Sequence, residues 1–285
     1  YLNKVVDRAW PAVTPEKVVR ALWTTPAFLA EAAADALSED EQRLLARRGA
    51  GWSDADVALL DEAHALAGVP GRTYDHVIVD EAQDLSPMQL RMIGRRARDG
   101  ALTILGDVAQ GTGAVTYASW DEVLPYLPRG DEATVEELRH AYRVPREIMR
   151  LALPLLDTIA PDIERPLAYR VGGFEPVLRR VGEDALLREA YREAARLARD
   201  GLVALIVPEE LIEPALAHGS SYDGIPLLTP RAAKGLEFDH VIVVEPALIA
   251  DREQGLRELY VALTRPTTTL VVVHARPLPA ELEVA

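Results

Sequence analysis

The chain has 285 residues, 49% hydrophobic and 27% charged, which suits one large or two ordinary globular domains and excludes an extended disordered chain. It contains no cysteine, which excludes a disulfide framework and thiolate metal sites, and its net charge of −14 weighs against an autonomous nucleic-acid-binding module, because phosphate contacts supply most of such affinity. No apolar run approaches bilayer-spanning length and the start Tyr1-Leu2-Asn3-Lys4 has no signal-peptide pattern, so a cytoplasmic location without membrane attachment is expected, and the absence of an initiating Met suggests a piece of a longer protein.

Residues 1–70 read as helical. Val18, Val19 and Leu22, then Phe28, Leu29 and Ala32, recur at helical spacing. Ser38-Glu-Asp-Glu41 and Ser53-Asp-Ala-Asp56 have the form of capping boxes. The stretch Gly68-Val-Pro-Gly71 ends this part, and the pattern changes. His76–Val79 and Leu102–Leu105 read as short buried parallel strands, with a helix over Ser86–Arg98 between them. A short helix is predicted over Ser119–Leu127, and Pro128-Arg-Gly-Asp-Glu132 is the best candidate for a boundary. Beyond it, strands are predicted near 134–138, 176–181, 202–207, 226–228, 240–244 and 269–274. Helices are predicted near 146–159, 184–199, 209–217 and 253–264. This alternation implies an open parallel sheet covered on both faces, with ligands at the carboxyl ends of the strands.

Two stretches carry chemistry. Asp80-Glu81-Ala82-Gln83-Asp84 directly follows a predicted strand. Phosphoryl transfer to water needs one carboxylate to hold Mg²⁺ and another to act on the attacking water, and adjacent acids at a strand mouth can do both. Leu105-Gly106-Asp107-Val-Ala-Gln110 follows the next strand, which would set Asp107 and Gln110 beside those acids. A glutamine there can touch both a γ-phosphate and the water. Asp61-Glu62-Ala63-His64 spells a similar box, but Val57-Ala-Leu-Leu60 and Ala65-Leu66 carry a helical period through it, so it is assigned to a helix surface.

These two stretches resemble motifs II and III of the UvrD/Rep/PcrA-type superfamily 1 helicases. Three later ones resemble motifs IV, V and VI in the same order: Glu137–Arg143, Thr229–Asp239 and Leu259–Arg265. The resemblance implies an α/β fold of two RecA-like parallel-sheet lobes with ATP and Mg²⁺ as cofactors. It divides the chain into a helical segment (1–72), the C-terminal part of an incomplete first lobe (73–130) and a second lobe (131–285). It implies that Asp80 holds Mg²⁺, Glu81 acts on the water and Gln110 contacts the γ-phosphate. Asp107 would help bind ATP, Tyr142 would stack on adenine and Glu237 would bond the ribose. Arg143 and Arg265 would serve as arginine fingers, a task suited to a planar, always-charged guanidinium. Thr229, Arg231 and Lys234 would couple nucleotide to nucleic acid.

The pattern also breaks. A phosphate-binding loop needs Gly-Lys-Ser/Thr, and the three lysines follow Asn3, Glu16 and Ala233. The chain is therefore expected to be inactive alone, either as a portion of a longer motor or as a pseudo-ATPase. After Gln110 the aromatic-Ser-Trp-Arg segment of the unwinding enzymes is missing. Trp120 is displaced, to stack a base or to fill the core. Motif IV has Ala141 where asparagine is usual, and motif V has Arg231 where histidine is common. Only 85 residues (144–228) lie between motifs IV and V, leaving no room for a large inserted domain. Ala9-Trp10-Pro11, Trp52–Asp56, Leu59–Ala63 and Asp84–Leu90 are similar to the HelD branch, which acts on bacterial RNA polymerase. Three functions follow as expectations: a HelD-like motor with RNA polymerase as partner, a DNA helicase or translocase in repair, or a non-catalytic interaction module.

Overall fold

The computed structural model describes residues 14–283 apart from 35, 48, 50, 70, 172–173 and 220–223. The Ala9-Trp10-Pro11 string, the first thirteen residues of the helical leader and Pro70 therefore lie outside the described residues. The chain is α/β with parallel strand pairing throughout and a helical N-terminal segment. It forms two compact units. The first comprises residues up to Asp80, Leu85–Leu105 and Val123–Ala133; the second comprises Glu81–Asp84, Gly106–Glu122 and Thr134 onward.

In the first unit, four helices among the described residues come before the first strand: α1 (Pro15–Thr24), α2 (Pro26–Ala33), α3 (Glu39–Leu45) and α4 (Asp54–Leu66). Both expected capping boxes form. The Ser38 N–H donates to Glu41 Oε2 at 2.8 Å and the Ser53 N–H to Asp56 Oδ2 at 2.7 Å. Then β1 (Val77–Val79) pairs in parallel with β2 (Leu102–Ile104), and α5 (Pro87–Gly94) runs between them. The strands were expected to be buried, and they are not. Ile78 is 70% exposed, because a two-stranded sheet leaves that face without a covering layer. Helix α5 stops at Gly94 instead of continuing to Arg98. Ala97 turns extended to bridge Tyr74, whose N–H donates to the Arg96 carbonyl at 2.7 Å. Asp61 and Glu62 lie on a helix as expected, but they are not solvated. They pair with Arg91, Arg95 and Arg96, with the Arg91–Glu62 bond at 2.8 Å and the Arg95–Asp61 bond at 2.6 Å. That acidic box is a seam between α4 and α5.

The second unit holds a five-stranded parallel sheet. Its strands are β5 (Val177–Arg180), β6 (Val203–Ile206), β7 (Leu227–Leu228), β8 (Phe238–Val244) and β9 (Pro266–His274), in the order β5-β9-β8-β6-β7. A separate two-residue pair, β3 (His140–Ala141) with β4 (Leu167–Ala168), precedes it. Strand side chains alternate between faces. Val241, Val243, Leu270 and Val272 pack against α6 (Arg146–Ile159) and α10 (Gly255–Leu263). Ile242, Val244, Val271 and Val273 pack against α7 (Leu186–Leu197) and Ala215 of α8 (Ile212–Gly219). Short helices α9 (Pro246–Ala250) and α11 (Ala280–Glu283) complete the described chain. Helix α6 buries Ile148, Leu151, Ala152 and Leu155, one face at helical spacing.

Two predicted elements differ. Residues 134–138 form no strand; every one of them is exposed and Leu138 is 90% so, leaving no apolar layer to hold a strand. Residues 119–127 form two single 3₁₀ turns instead of a helix, since Pro125 cannot donate to the preceding turn.

Candidate functional site

Glu81–Asp84, after β1, and the turn that follows β2 both belong to the second unit, where they meet the loop before β8 and the residues around α10. Glu81 has a left-handed backbone (φ 55), uncommon for a residue with a side chain and typical of strained functional turns. Glu245 shares that conformation (φ 48), but its carboxylate accepts from the Ala275 and Arg276 N–H groups, a turn-closing role. The Glu81 carboxylate accepts from Gln83 Nε2 at 2.6 Å. Gln83 is fully buried, and its Oε1 accepts the Asp107 N–H at 3.0 Å, tying the two acidic loops together. Gly106 is needed for that approach: a Cβ there would lie 2.2 Å from Gln83 Oε1 and 3.1 Å from Trp120 Cη2. Trp120 is half-buried in this position, so its ring packs within its own unit.

Asp107 opens a 3₁₀ turn over Val108–Gln110. One carboxylate oxygen accepts the Ala109 N–H at 2.9 Å and the other accepts Gln110 Nε2 at 2.8 Å. Gln110 presents its carbonyl the other way. Arg265 Nη2 donates to Gln110 Oε1 at 2.9 Å. The guanidinium is held further by the Val261 carbonyl at 3.0 Å and the Leu236 carbonyl at 3.4 Å, and Arg265 is 2% exposed. Burial disfavours its charged form and Arg143 adds to that, so its pKa falls below the usual arginine value; a guanidinium still keeps its proton at any physiological pH.

Lys234 is a second interior cation. Its Nζ donates to Asp84 Oδ2 at 2.5 Å and to the Gln110 carbonyl at 2.6 Å, and stands 3.7 Å from Glu81 Oε2. Asp84 also accepts the N–H groups of Thr112 at 2.9 Å and Gly113 at 3.1 Å. Gly235 follows with φ 74, a conformation that places the Lys-Gly turn and that an L side chain adopts only under strain.

The remaining sequence-predicted residues fall into separate groups. Arg143 Nη1 pairs with Glu237 Oε1, both about half exposed. Tyr142 is 70% exposed and stacks on Tyr169, ring centroids 5.9 Å apart at 20°. Thr229 Oγ1 accepts the Ala232 N–H at 3.2 Å and caps the turn that leads to Lys234. Arg231 Nε donates to Glu258 Oε1 at 2.6 Å, while the other oxygen of that carboxylate, which is 1% exposed, has no hydrogen-bond partner and stands 3.7 Å from Arg252 Nη1. Asp80 ends β1 in the first unit, with its side chain exposed. Thr229 directly follows β7, whereas Glu237 and Arg265 immediately precede β8 and β9. Three residues that join these groups were not singled out from sequence: Gln83, Asp84 and Arg257. The first two stand inside the acidic string; Arg257 lies in the first turn of α10, and no signal in the sequence marks it.

Residues 22–112 match the UvrD/REP helicase N-terminal domain and residues 225–273 match the UvrD-like helicase C-terminal domain. Over these two segments the chain is similar to UvrD-like helicases. Motif IV, with Tyr142 and Arg143, falls between the two matched segments. No curated protein matches the chain. Among solved structures, the C-terminal domain of a possible DNA helicase from Lactobacillus plantarum is 22% identical, with 50% of this chain and 92% of that one covered and a TM-score of 0.39. The helicase of PRRSV is 16% identical over 74% of this chain and 36% of its own, with a TM-score of 0.42. Arterivirus nonstructural protein 10, a helicase solved in complex with DNA, is 19% identical over 71% of this chain and 40% of its own, with a TM-score of 0.41. The chain therefore spans well under half the length of those two viral proteins. Among the described residues, no helix is long and apolar enough to cross a membrane.

Proposed function

We propose that this chain is the phosphate-sensing and coupling portion of an ATP-driven nucleic-acid motor. The observation that carries this reading is the Asp107–Gln110–Arg265 relay, in which a carboxylate, an amide and a buried guanidinium are joined side chain to side chain. A guanidinium in a water-poor site is suited to stabilise charge that develops on a transferring phosphoryl group. The amide between it and Asp107 can report on that charge. Exposed carboxylates at Asp80 and Glu81 have the hard oxygen chemistry that Mg²⁺ takes, and the ion would neutralise phosphate charge there. Asp80 would hold the ion and Glu81 would orient the attacking water. The uncovered face of β1–β2 agrees with a chain that works together with further structure supplying the phosphate cradle, and alone it does not turn over ATP. The test is ATP hydrolysis by the full-length protein with and without Glu81→Gln. Loss of turnover with nucleotide binding retained supports the reading; turnover that survives the substitution overturns it.

The finer reading is a HelD-like motor that works in the cytoplasm and pushes RNA polymerase off nucleic acid. It is supported by the charge of −14, by Trp120 packing inside its own unit, and by the Trp52–Asp56 and Asp84–Leu90 strings. A DNA helicase or translocase acting in repair is the rival. Polymerase pull-down set beside a strand-unwinding assay separates the two, and unwinding without polymerase binding sinks the HelD-like reading.

A further inference from the structure

The Gly106–Glu122 loop is gripped at two points, from within helix α10 and from just beyond its end. One is Arg265, through the Gln110 side chain. The other is Arg257, in the first turn of the helix. Its Nη1 donates to the Val108 carbonyl, and its Nη2 donates to the Ile159 carbonyl at 2.8 Å and the Tyr117 carbonyl at 3.4 Å. Among the described residues it forms no ion pair, although Asp107 is near enough to be felt electrostatically. A cation removed from water without a carboxylate is costly to place, and burial duly lowers the Arg257 pKa. What the charge secures is geometric. Three carbonyls from two sequence-distant segments, the loop and the end of α6, converge on one planar fork.

We infer that Arg257 is a positioning residue for the reaction proposed above: by holding the Val108 carbonyl it fixes the turn from Asp107 to Gln110, so that the Gln110 amide stands between Asp107 and Arg265. This rests on the reading of that relay as the phosphate sensor. Val108 and Ala109 are already buried, so the backbone of the turn is confined by packing. Its rotation about the Val108 carbonyl is what Arg257 fixes, and that rotation decides where the Gln110 side chain points. Misplacement of a reacting group by about 1 Å costs on the order of 10²-fold in rate.

The experiment uses the full-length protein with Arg257→Ala, Arg257→Lys, Gln110→Ala and the Arg257→Ala/Gln110→Ala pair. Arg257→Ala should lower kcat by about 10²-fold with little change in KM, and Arg257→Lys should recover part of it. The double variant should be no slower than Gln110→Ala, because the two residues act through one amide. Rate losses that multiply, or an equal loss in kcat and KM, overturn the inference. Hydrogen exchange in the same protein decides it independently. The Ala109, Gln110 and Gly111 amides should exchange faster in Arg257→Ala, and unchanged exchange overturns the positioning role. If no variant or parent hydrolyses ATP, the reading of the site falls, while the exchange result still decides whether Arg257 sets the turn.

Discussion

Arg265 reaches Gln110 with its Nη2 2.9 Å from Oε1, and the guanidinium that does so is 2% exposed. The two residues stand 155 positions apart, one in a turn after β2 and one at the start of β9. Under the proposed function, removing the guanidinium takes charge from the developing transition state more than from bound nucleotide. In the full-length protein, Arg265→Ala should lower kcat by about 10³-fold or more while changing nucleotide affinity far less. Steady-state hydrolysis and nucleotide titration check this, and equal losses in both would reduce Arg265 to a ground-state binder.

Much of this arrangement is legible in the sequence. The 14-residue helix Arg146–Ile159 follows directly from its apolar spacing, and the β8 and β9 strands follow from unbroken β-branched runs. Gln110 and Arg265 come from separate motifs that the fold brings together. The contacts of Arg257 are not legible, because its acceptors are backbone carbonyls, which every residue carries. The pairs Lys234–Asp84 and Arg231–Glu258 are not legible either, since no local period reports an ion pair across 150 or 27 positions. The exposed face of β1 escaped for a related reason: a run such as Val77-Ile-Val79 specifies a strand but not the layer that covers it.

Tyr142 should carry nucleobase stacking through its ring and not its hydroxyl. The ring is 70% exposed and rests on Tyr169, leaving aromatic surface open. Base–aromatic stacking contributes about 1–3 kcal/mol, so Tyr142→Ala should weaken ATP binding by roughly 10-fold or more, and Tyr142→Phe should leave it nearly unchanged. Competition against a fluorescent nucleotide measures both. A Tyr142→Ala variant with parental affinity would remove Tyr142 from the nucleotide site.

Stability should decline on mild acidification through His240. The ring is 5% exposed in β8 and neither nitrogen has a hydrogen-bond partner. Burial lowers its pKa below the ordinary histidine value, Arg196 pushes in the same direction, and Asp239 and Asp200 oppose the shift only partly. The folded state therefore binds fewer protons than the unfolded state below about pH 6.5. Stability is present in full above that pH and is lost as pH falls from there toward the lower folded value. A tenfold difference in proton affinity between the two states corresponds to about 1.4 kcal/mol. Denaturant midpoints between pH 7.5 and 5.5 should fall for the parent and flatten in His240→Phe, if the larger ring is accommodated, or in His240→Leu otherwise. A parent whose midpoint does not move across that range would contradict the assignment.

Lys234 offers a sharper separation, because its expected role and its position make different demands. A residue that couples to nucleic acid through phosphate must reach solvent. The Lys234 side chain is 9% exposed and its ammonium is already shared between Asp84 and the Gln110 carbonyl. Any coupling by Lys234 therefore runs through the acidic loop and the Gln110 turn. Lys234→Met should leave the salt dependence of nucleic-acid binding unchanged, since each lost phosphate contact would reduce that slope by about 0.7–0.9. It should instead free Asp84, which keeps only its two N–H donors from Thr112 and Gly113, and lower unfolding stability by about 1–3 kcal/mol. Hydrolysis should also lose part of its stimulation by nucleic acid, because the loop bearing Glu81 and the turn bearing Gln110 are no longer joined by a single cation. A salt slope that drops by one phosphate with unfolding stability intact would place Lys234 on the nucleic-acid strand itself and leave the link between the two loops to Gln83 and the Asp84 carboxylate.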